Sequence, residues 1–353
     1  MELSKEKKVL ESLGKLKNKE NKFYFFVLDS KGYAKASVRY IYDFAMAMNN
    51  RGYKPVILHE KDDYVGVGDW MGESFTQLEH LSLESQKLEV GPEDFIFIPE
   101  IFGHVMEQVS KLPCGKIVLS QSYDFILETI KPGTEWTDYG FYKCITTTEK
   151  QKEFIKDLMR NVSIDVVEPT ISDVFVKKTY PSKPIISIHT RDQRDTMVII
   201  KTFYIRYPQY RWITFRDMRG INMEKFSEYL QDSFVSVWID DQASFGTYPL
   251  ESMACGTPVI GKVPNMKPEW MNDDNGVWYF DKLQTVDIIA DYIQNWLEDN
   301  ISDSLYESGY MTSEKYLEID RFNESVSTLI DGYIKSRIES FESQINVGEL
   351  QEL

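Results

Sequence analysis

Cysteine is scarce in this sequence. Cys114, Cys144 and Cys255 are an odd, widely spaced three in 353 residues and form no Cys-x-x-Cys pair, which argues against a disulfide framework and against a thiolate metal site. The four histidines, His59, His80, His104 and His189, lie far apart with no ligand spacing between them or with the cysteines, so a zinc enzyme is not expected. No run of eighteen apolar residues occurs, which excludes an ordinary membrane-spanning helix. The N-terminus is rich in lysine and glutamate and has no apolar signal core, and the expected location is cytoplasmic. Positive charge is also short. Forty Lys and Arg face 56 Asp and Glu, a net charge of -16, which disfavours a polyanionic partner.

The positive charge that exists is concentrated. Residues 175–220 hold ten basic side chains against three acidic ones, a distribution that marks either a phosphate-binding face or a solvated surface. Apolar residues make up 42% of the chain, a globular composition with length for two domains. Val9, Leu10, Leu13 and Leu16 recur at helical spacing in the first twenty residues. Strand patterns then alternate with helix patterns: strand 23–28, a polar turn holding Gly32, helix 38–48, Arg51-Gly52-Tyr53, strand 55–58, strand 95–98, helix 105–111, strand 116–120, strand 143–147, helix 149–159, strand 164–167. Strand, glycine turn, helix, strand is the βαβ building block of a doubly wound parallel sheet. A second series begins past Pro184 with strand 185–188, helix 196–207, strand 211–215, helix 223–230, strand 234–239, helix 249–255 and strand 258–261, and helical patterns at 286–297 and 325–341 close the chain, with fraying expected after Ser343. The reading is α/β with two Rossmann-like domains in series, at 1–178 and 179–325, and a terminal helix at 326–353 packing back on the first. Residues 62–90 show no clear period and read as a loop region.

The densest chemistry lies in Phe245-Gly246-Thr247-Tyr248-Pro249-Leu250-Glu251-Ser252-Met253-Ala254-Cys255-Gly256-Thr257-Pro258-Val259. A glycine turn runs straight into a helix start, so uncapped amides and the positive end of the helix dipole converge on one spot, which suits a diphosphate. Gly246 admits close backbone approach, and Gly256 ends the helix. Glu251, one turn in, can accept hydrogen bonds from two neighbouring sugar hydroxyls. Arg191, just past the strand at 185–188, and Arg194 are the cations placed to stabilise a departing diphosphate.

These residues resemble the donor signature of the retaining family-four glycosyltransferases (glycosyl transferases group 1) of GT-B fold, in residue types Glu-Gly-Phe-Gly, then Glu-Ala-Met-Ala-x-Gly-x-Pro-Val. Arg51-Gly52-Tyr53, Thr147-Thr148-Glu149 and Asn275-Gly276 fit its order of elements. The resemblance implies a GT-B frame whose two domains face a cleft, and a hexosyl- or pentosyltransferase with no cofactor and no metal. It implies Glu251 on the ribose, Phe245, Gly246, Thr247 and Leu250 about the donor, and Gly32 opposite. Asp29, Tyr33 and Gln121 are candidate acceptor or sugar contacts. The family's first glutamate is replaced by Ala243, leaving Asp240 or Asp241 as substitutes, and Gln121 stands where the family often has histidine. The absence of any Asp-x-Asp argues against the metal-dependent single-domain glycosyltransferase fold. Expected partners are a nucleotide-sugar donor and a glycan, lipid-linked saccharide or small-molecule acceptor. Two alternatives stay open: a phage-type enzyme glycosylating a hydroxymethylated DNA base, and a non-catalytic nucleotide-sugar sensor.

Overall fold

The computed structural model describes residues 2–32, 34–66, 70–179 and 182–351, and it forms two parallel sheets. The first contains β1 (Lys22–Phe26), β2 (Lys54–His59), β3 (Glu79–Ser82), β4 (Phe95–Pro99), β5 (Gly115–Ser120), β6 (Lys143–Thr146) and β7 (Ser163–Val166), in the order β3-β2-β1-β4-β5-β6-β7. Its helices are α1 (Glu2–Lys17), α2 (Ala36–Asn50), α3 (Gly103–Val109), α4 (Tyr123–Thr129) and α5 (Glu149–Leu158). Central strands of a parallel sheet are covered on both faces and so read as unbroken apolar runs. β1 and β4 obey this with Phe23 stacked on Phe95 at 5.2 Å and Phe25 on Phe97 at 4.4 Å. Strand order reverses at β1 and β4, so a crevice opens beyond their carboxyl ends.

The second sheet contains β8 (Lys183–Thr190), β9 (Thr214–Asp217), β10 (Ser233–Ile239), β11 (Val259–Lys262) and β12 (Val277–Tyr279), in the order β12-β11-β10-β8-β9. α6 (Gln193–Arg206), α7 (Met223–Asp232), α8 (Thr247–Ala254) and α9 (Thr285–Leu297) flank it. Here the order reverses between β8 and β10, which puts Arg191 and Asp240, the residues just past their ends, at the switch point. The frame is GT-B: two Rossmann-like domains whose crevices face each other.

α10 (Asp303–Leu317) packs on α8, and α11 (Ile319–Gln351) returns to lie on α1 and α2. Phe322, Val326 and Ile330 of α11 are fully buried in the core of the first domain, and Arg337 donates to the carbonyls of Pro92 and Pro113. Glu168, at the start of the connection between the sheets, is held by Lys315 at 2.7 Å and Arg321 at 2.9 Å. All three cysteines are free and buried.

Several elements differ from the sequence reading. α11 stays helical to Gln351 instead of fraying after Ser343, with Phe341 buried against the first domain. β9 begins at Thr214, not at 211, because Pro208–Tyr210 makes a tight turn that Ile213 closes by donating to the Tyr210 carbonyl. The region 62–90 contains β3. α4, β12 and α10 were not legible from periodicity.

Candidate active site

β10 is buried along its whole length, and the chain emerges from it at Asp240. The Asp240 carboxylate accepts from the Gln242 amide at 3.1 Å, folding residues 240–243 into a turn. Gly246 then adopts φ +75°, and a Cβ there would lie 2.9 Å from the Trp238 ring, so only glycine fits. Trp270 Nε1 donates to the Phe245 carbonyl at 2.8 Å, and the Phe245 ring packs edge-on to Tyr316. The turn is thereby fixed, and α8 starts at Thr247, two residues earlier than the sequence pattern suggests, with no side-chain cap on its first amides. Gly246 and Thr247 are half-exposed while Phe245, Tyr248 and Pro249 are buried. The Leu250 side chain is wholly inside the core and supports the turn from behind.

Glu251 is half-buried, one turn into α8. Burial pushes its carboxyl up to about 7, opposed by Arg39 of α2 and by the Thr247 hydroxyl. Arg39 belongs to the first domain. Its Nε pairs with Asp43 at 2.7 Å, and its guanidinium reaches Met223 Sδ of α7 at 3.5 Å. Arg39 thus spans the gap between the domains, and its charge acts on Glu251.

Arg191 is tied to the sheet by its amide, which donates to the Ile239 carbonyl at 3.0 Å. Its guanidinium stands 3.4 Å from Asp240 and 3.8 Å from Asp124 of α4, over the Phe125 ring. Both separations exceed those of a close charge-assisted hydrogen bond, so the cation is held loosely between the domains. Arg194 is not brought to this point. Its side chain is 87% exposed and closes on Asp192, which also caps α6. Asp241 pairs with Lys262. Asp240 and Asp241, the proposed substitutes for the missing glutamate, thus each have a cation beside them.

Across the gap, Gly32 at φ +78° shapes the β1–α2 turn. Asp29 accepts from the Lys31 amide at 2.9 Å and pairs with its ammonium at 2.6 Å. Burial would raise its pKa, but these contacts with Lys31 and the Val65 amide hold it below the usual value, so Asp29 braces the turn. Tyr33 lies outside the described residues. Gln121 does not present its side chain freely, because Nε2 donates to the Ser37 carbonyl at 3.0 Å. Beneath it, the buried Glu100 accepts from the amides of Gln121 and Ser122 at 2.9 and 2.6 Å. Burial pushes Glu100 up to about 7 despite those bonds. His104 is exposed. Arg39, Ser122 and Asp124 also meet the gap, and only their position at strand ends and helix starts could have singled them out.

Further along the same gap, Gly32, Ala34, Val65 and Trp70 face Gly220, Ile221 and Asn222 around a cavity of about 770 Å³. The basic stretch 175–220 does not form a continuous cationic face. Lys183 and Arg216 pair with Asp232, Arg206 with Asp287 and Arg219 with Asp217, while Lys178 turns inward onto Ser233 and Thr257. Among the described residues no group of three or more His, Cys, Asp or Glu is placed to hold a metal ion, and no helix is long and apolar enough to cross a membrane.

Residues 218–310, which include the turn, α8 and Glu251, match the family Glycosyl transferases group 1. No curated protein matches the chain in sequence. Among solved structures, sucrose-phosphate synthase from Thermosynechococcus elongatus is similar with a TM-score of 0.66 at 12% identity, over 90% of this chain and 100% of that one. Anabaena HepE in complex with UDP-glucose aligns with a TM-score of 0.60 at 12% identity, over 88% and 99%. The pneumococcal O-GlcNAc transferase GtfA, in complex with UDP and GlcNAc, aligns with a TM-score of 0.59 at 10% identity, over 91% and 99%.

Proposed function

We propose that the chain is a retaining, metal-independent glycosyltransferase that moves a sugar from a nucleotide-sugar to an acceptor hydroxyl, a reading supported by the match of residues 218–310 to Glycosyl transferases group 1 and by the GT-B frame. The observation that carries this reading is the junction at 245–247. Uncapped helix amides, a glycine whose conformation admits no side chain and the half-buried Glu251 follow the carboxyl end of β10, where Gln242 and Arg191 meet Ser122 and Asp124 of the first domain. In the proposed complex the diphosphate lies on the amides of Gly246 and Thr247, Glu251 accepts from the ribose hydroxyls, and Arg191 meets the charge that grows on the leaving phosphate.

Transfer breaks the bond from the sugar's anomeric carbon to the phosphate oxygen and forms one to the acceptor oxygen. On the retaining course the acceptor proton passes to the departing phosphate on the same face, so no separate general base is required. Fixed amides and a guanidinium neutralise the leaving group without a metal ion. The proposed acceptor is a glycan, lipid-linked saccharide or small molecule. The pairing of the basic stretch with local carboxylates weighs against a DNA acceptor, because paired cations contribute little to phosphate attraction.

Thermal-shift titration with UDP, GDP, ADP and their glucose conjugates tests the reading, since a ligand bound only by the native state raises the melting temperature. Uridine nucleotides come first because two of the similar structures hold UDP or UDP-glucose. Stabilisation by at least one pair, followed by slow donor hydrolysis lost in Glu251→Ala, supports an enzyme. Stabilisation with no turnover supports a sensor, and no stabilisation removes the proposal.

A further inference from the structure

Three contacts seat the first turn of α4 on the second domain. The Ser122 hydroxyl oxygen lies 3.4 Å from the Gln242 carbonyl oxygen. The Tyr123 hydroxyl accepts from Asn265 Nδ2 at 3.0 Å, and the Asn265 amide donates to the Asp241 carbonyl at 3.0 Å. Asp124 stands 3.8 Å from Arg191, whose guanidinium lies over the Phe125 ring. All three lead to the 240–242 turn past β10 or to Arg191 past β8. The seat is fixed from below, because the buried Glu100 accepts from the amides of Gln121 and Ser122.

Arg191 has a long side chain, 37% exposed, and a catalytic donor is effective only when it is held in place before charge develops. Asp240 flanks it at 3.4 Å from its own domain, and Asp124 at 3.8 Å from the other. The Asp124 side chain is 12% exposed. Its Oδ1 accepts from the Ser122 hydroxyl, while Oδ2 is buried with no hydrogen-bond partner. An oxygen shut off from solvent is satisfied only by a donor of the protein itself, and Arg191 is the cation that faces it. An approach of about 1 Å converts that separation into a charge-assisted hydrogen bond. The uncompensated carboxylate oxygen therefore draws the guanidinium towards one position across the gap.

We propose that Asp124 is a positioning residue of the first domain that fixes the Arg191 guanidinium of the second, with the Phe125 ring beneath it. This rests on the nucleotide-sugar reading of the site, in which Arg191 meets the leaving phosphate. Asp124 touches no substrate, and its effect passes through Arg191. The cation is then in place only while α4 is seated on the 240–242 turn, so the second domain alone does not complete the donor site.

A double-mutant cycle on the full-length protein tests this. Hydrolysis of UDP-, GDP- and ADP-glucose is followed in wild type, Asp124→Asn, Arg191→Ala and the double variant. The expected result is a fall in kcat of about tenfold for Asp124→Asn in the wild-type background and of less than about twofold in the Arg191→Ala background. A carboxylate that merely supports the start of α4 gives the same loss in both backgrounds, and that outcome overturns the proposal. An unchanged or raised kcat in Asp124→Asn alone overturns it too. Asn keeps an acceptor for the Ser122 hydroxyl. Should that variant lose its fold, Phe125→Leu, which removes the ring beneath Arg191, takes its place in the cycle with the same coupling expected. A wild type that binds these donors without turnover overturns the positioning role and leaves the donor site intact. A wild type that binds none of them overturns the nucleotide-sugar reading, and this inference with it.

Discussion

Acidification is expected to release the donor through Glu251. Burial pushes this carboxyl up to about 7, and only the ionised form accepts hydrogen bonds from both ribose hydroxyls. Apparent affinity scales with the competent fraction, so a group about nine-tenths ionised at pH 8 and about one-tenth at pH 6 gives a roughly tenfold weaker complex at the lower pH. UDP-glucose is the probe of choice, because its diphosphate is a diester with no proton to gain in this range. Glu251→Gln should weaken binding by about 3 kcal/mol, on the order of a hundredfold in Kd, since charge-assisted hydrogen bonds are the strong ones. It should also flatten the pH dependence, which separates Glu251 from Glu100, raised to the same region. Apo-protein stability moves the other way. Between the ordinary glutamate pKa of 4.5 and about 7 the native state holds more protons on Glu251 and Glu100 than the unfolded chain does, so their contribution to stability falls as pH rises through that window. Calorimetric titration from pH 6 to 8 decides, and a wild-type Kd that does not change, or a Glu251→Gln variant that keeps the full slope, refutes the reasoning.

Arg191→Ala should lower kcat by about 10²- to 10³-fold, as expected for loss of a preorganised donor to the leaving group, whereas Arg194→Ala, exposed and closed on Asp192, should stay within about twofold; steady-state kinetics on both variants checks the contrast. Gly246→Ala meets the Trp238 ring at 2.9 Å and an unfavourable φ of +75°, so it should lower the melting temperature and abolish nucleotide-induced stabilisation, read by one thermal-shift experiment. Phe322→Ala empties a fully buried site where α11 meets the first domain and should cost about 3 to 5 kcal/mol in denaturant unfolding.

Alternation of apolar strands with amphipathic helices made the two parallel sheets legible, because parallel sheets need both faces covered and therefore write long apolar runs into β1, β4 and β10. The turn at 245–247 was legible for a related reason: a glycine in a forced conformation next to a helix start leaves few residue choices. Edges were harder. β3 and β12 are short outer strands of four and three residues, whose positions follow from pairing with β2 and β11 and not from local pattern. The fates of Arg194 and Leu250 depend on tertiary direction, one clamped by a neighbouring Asp192, the other turned into the core. Asp124 shows the deeper limit. Only the facing of two domains brings it beside Arg191.

The most direct test of the donor site is a crystal structure of the protein with UDP-glucose. The account predicts the diphosphate within hydrogen-bonding distance of the Gly246 and Thr247 amides, with the ribose on Glu251. Density for the nucleotide elsewhere, for instance in the surface cavity between Tyr292 and Asn300 with the 245–247 junction bare, would contradict it.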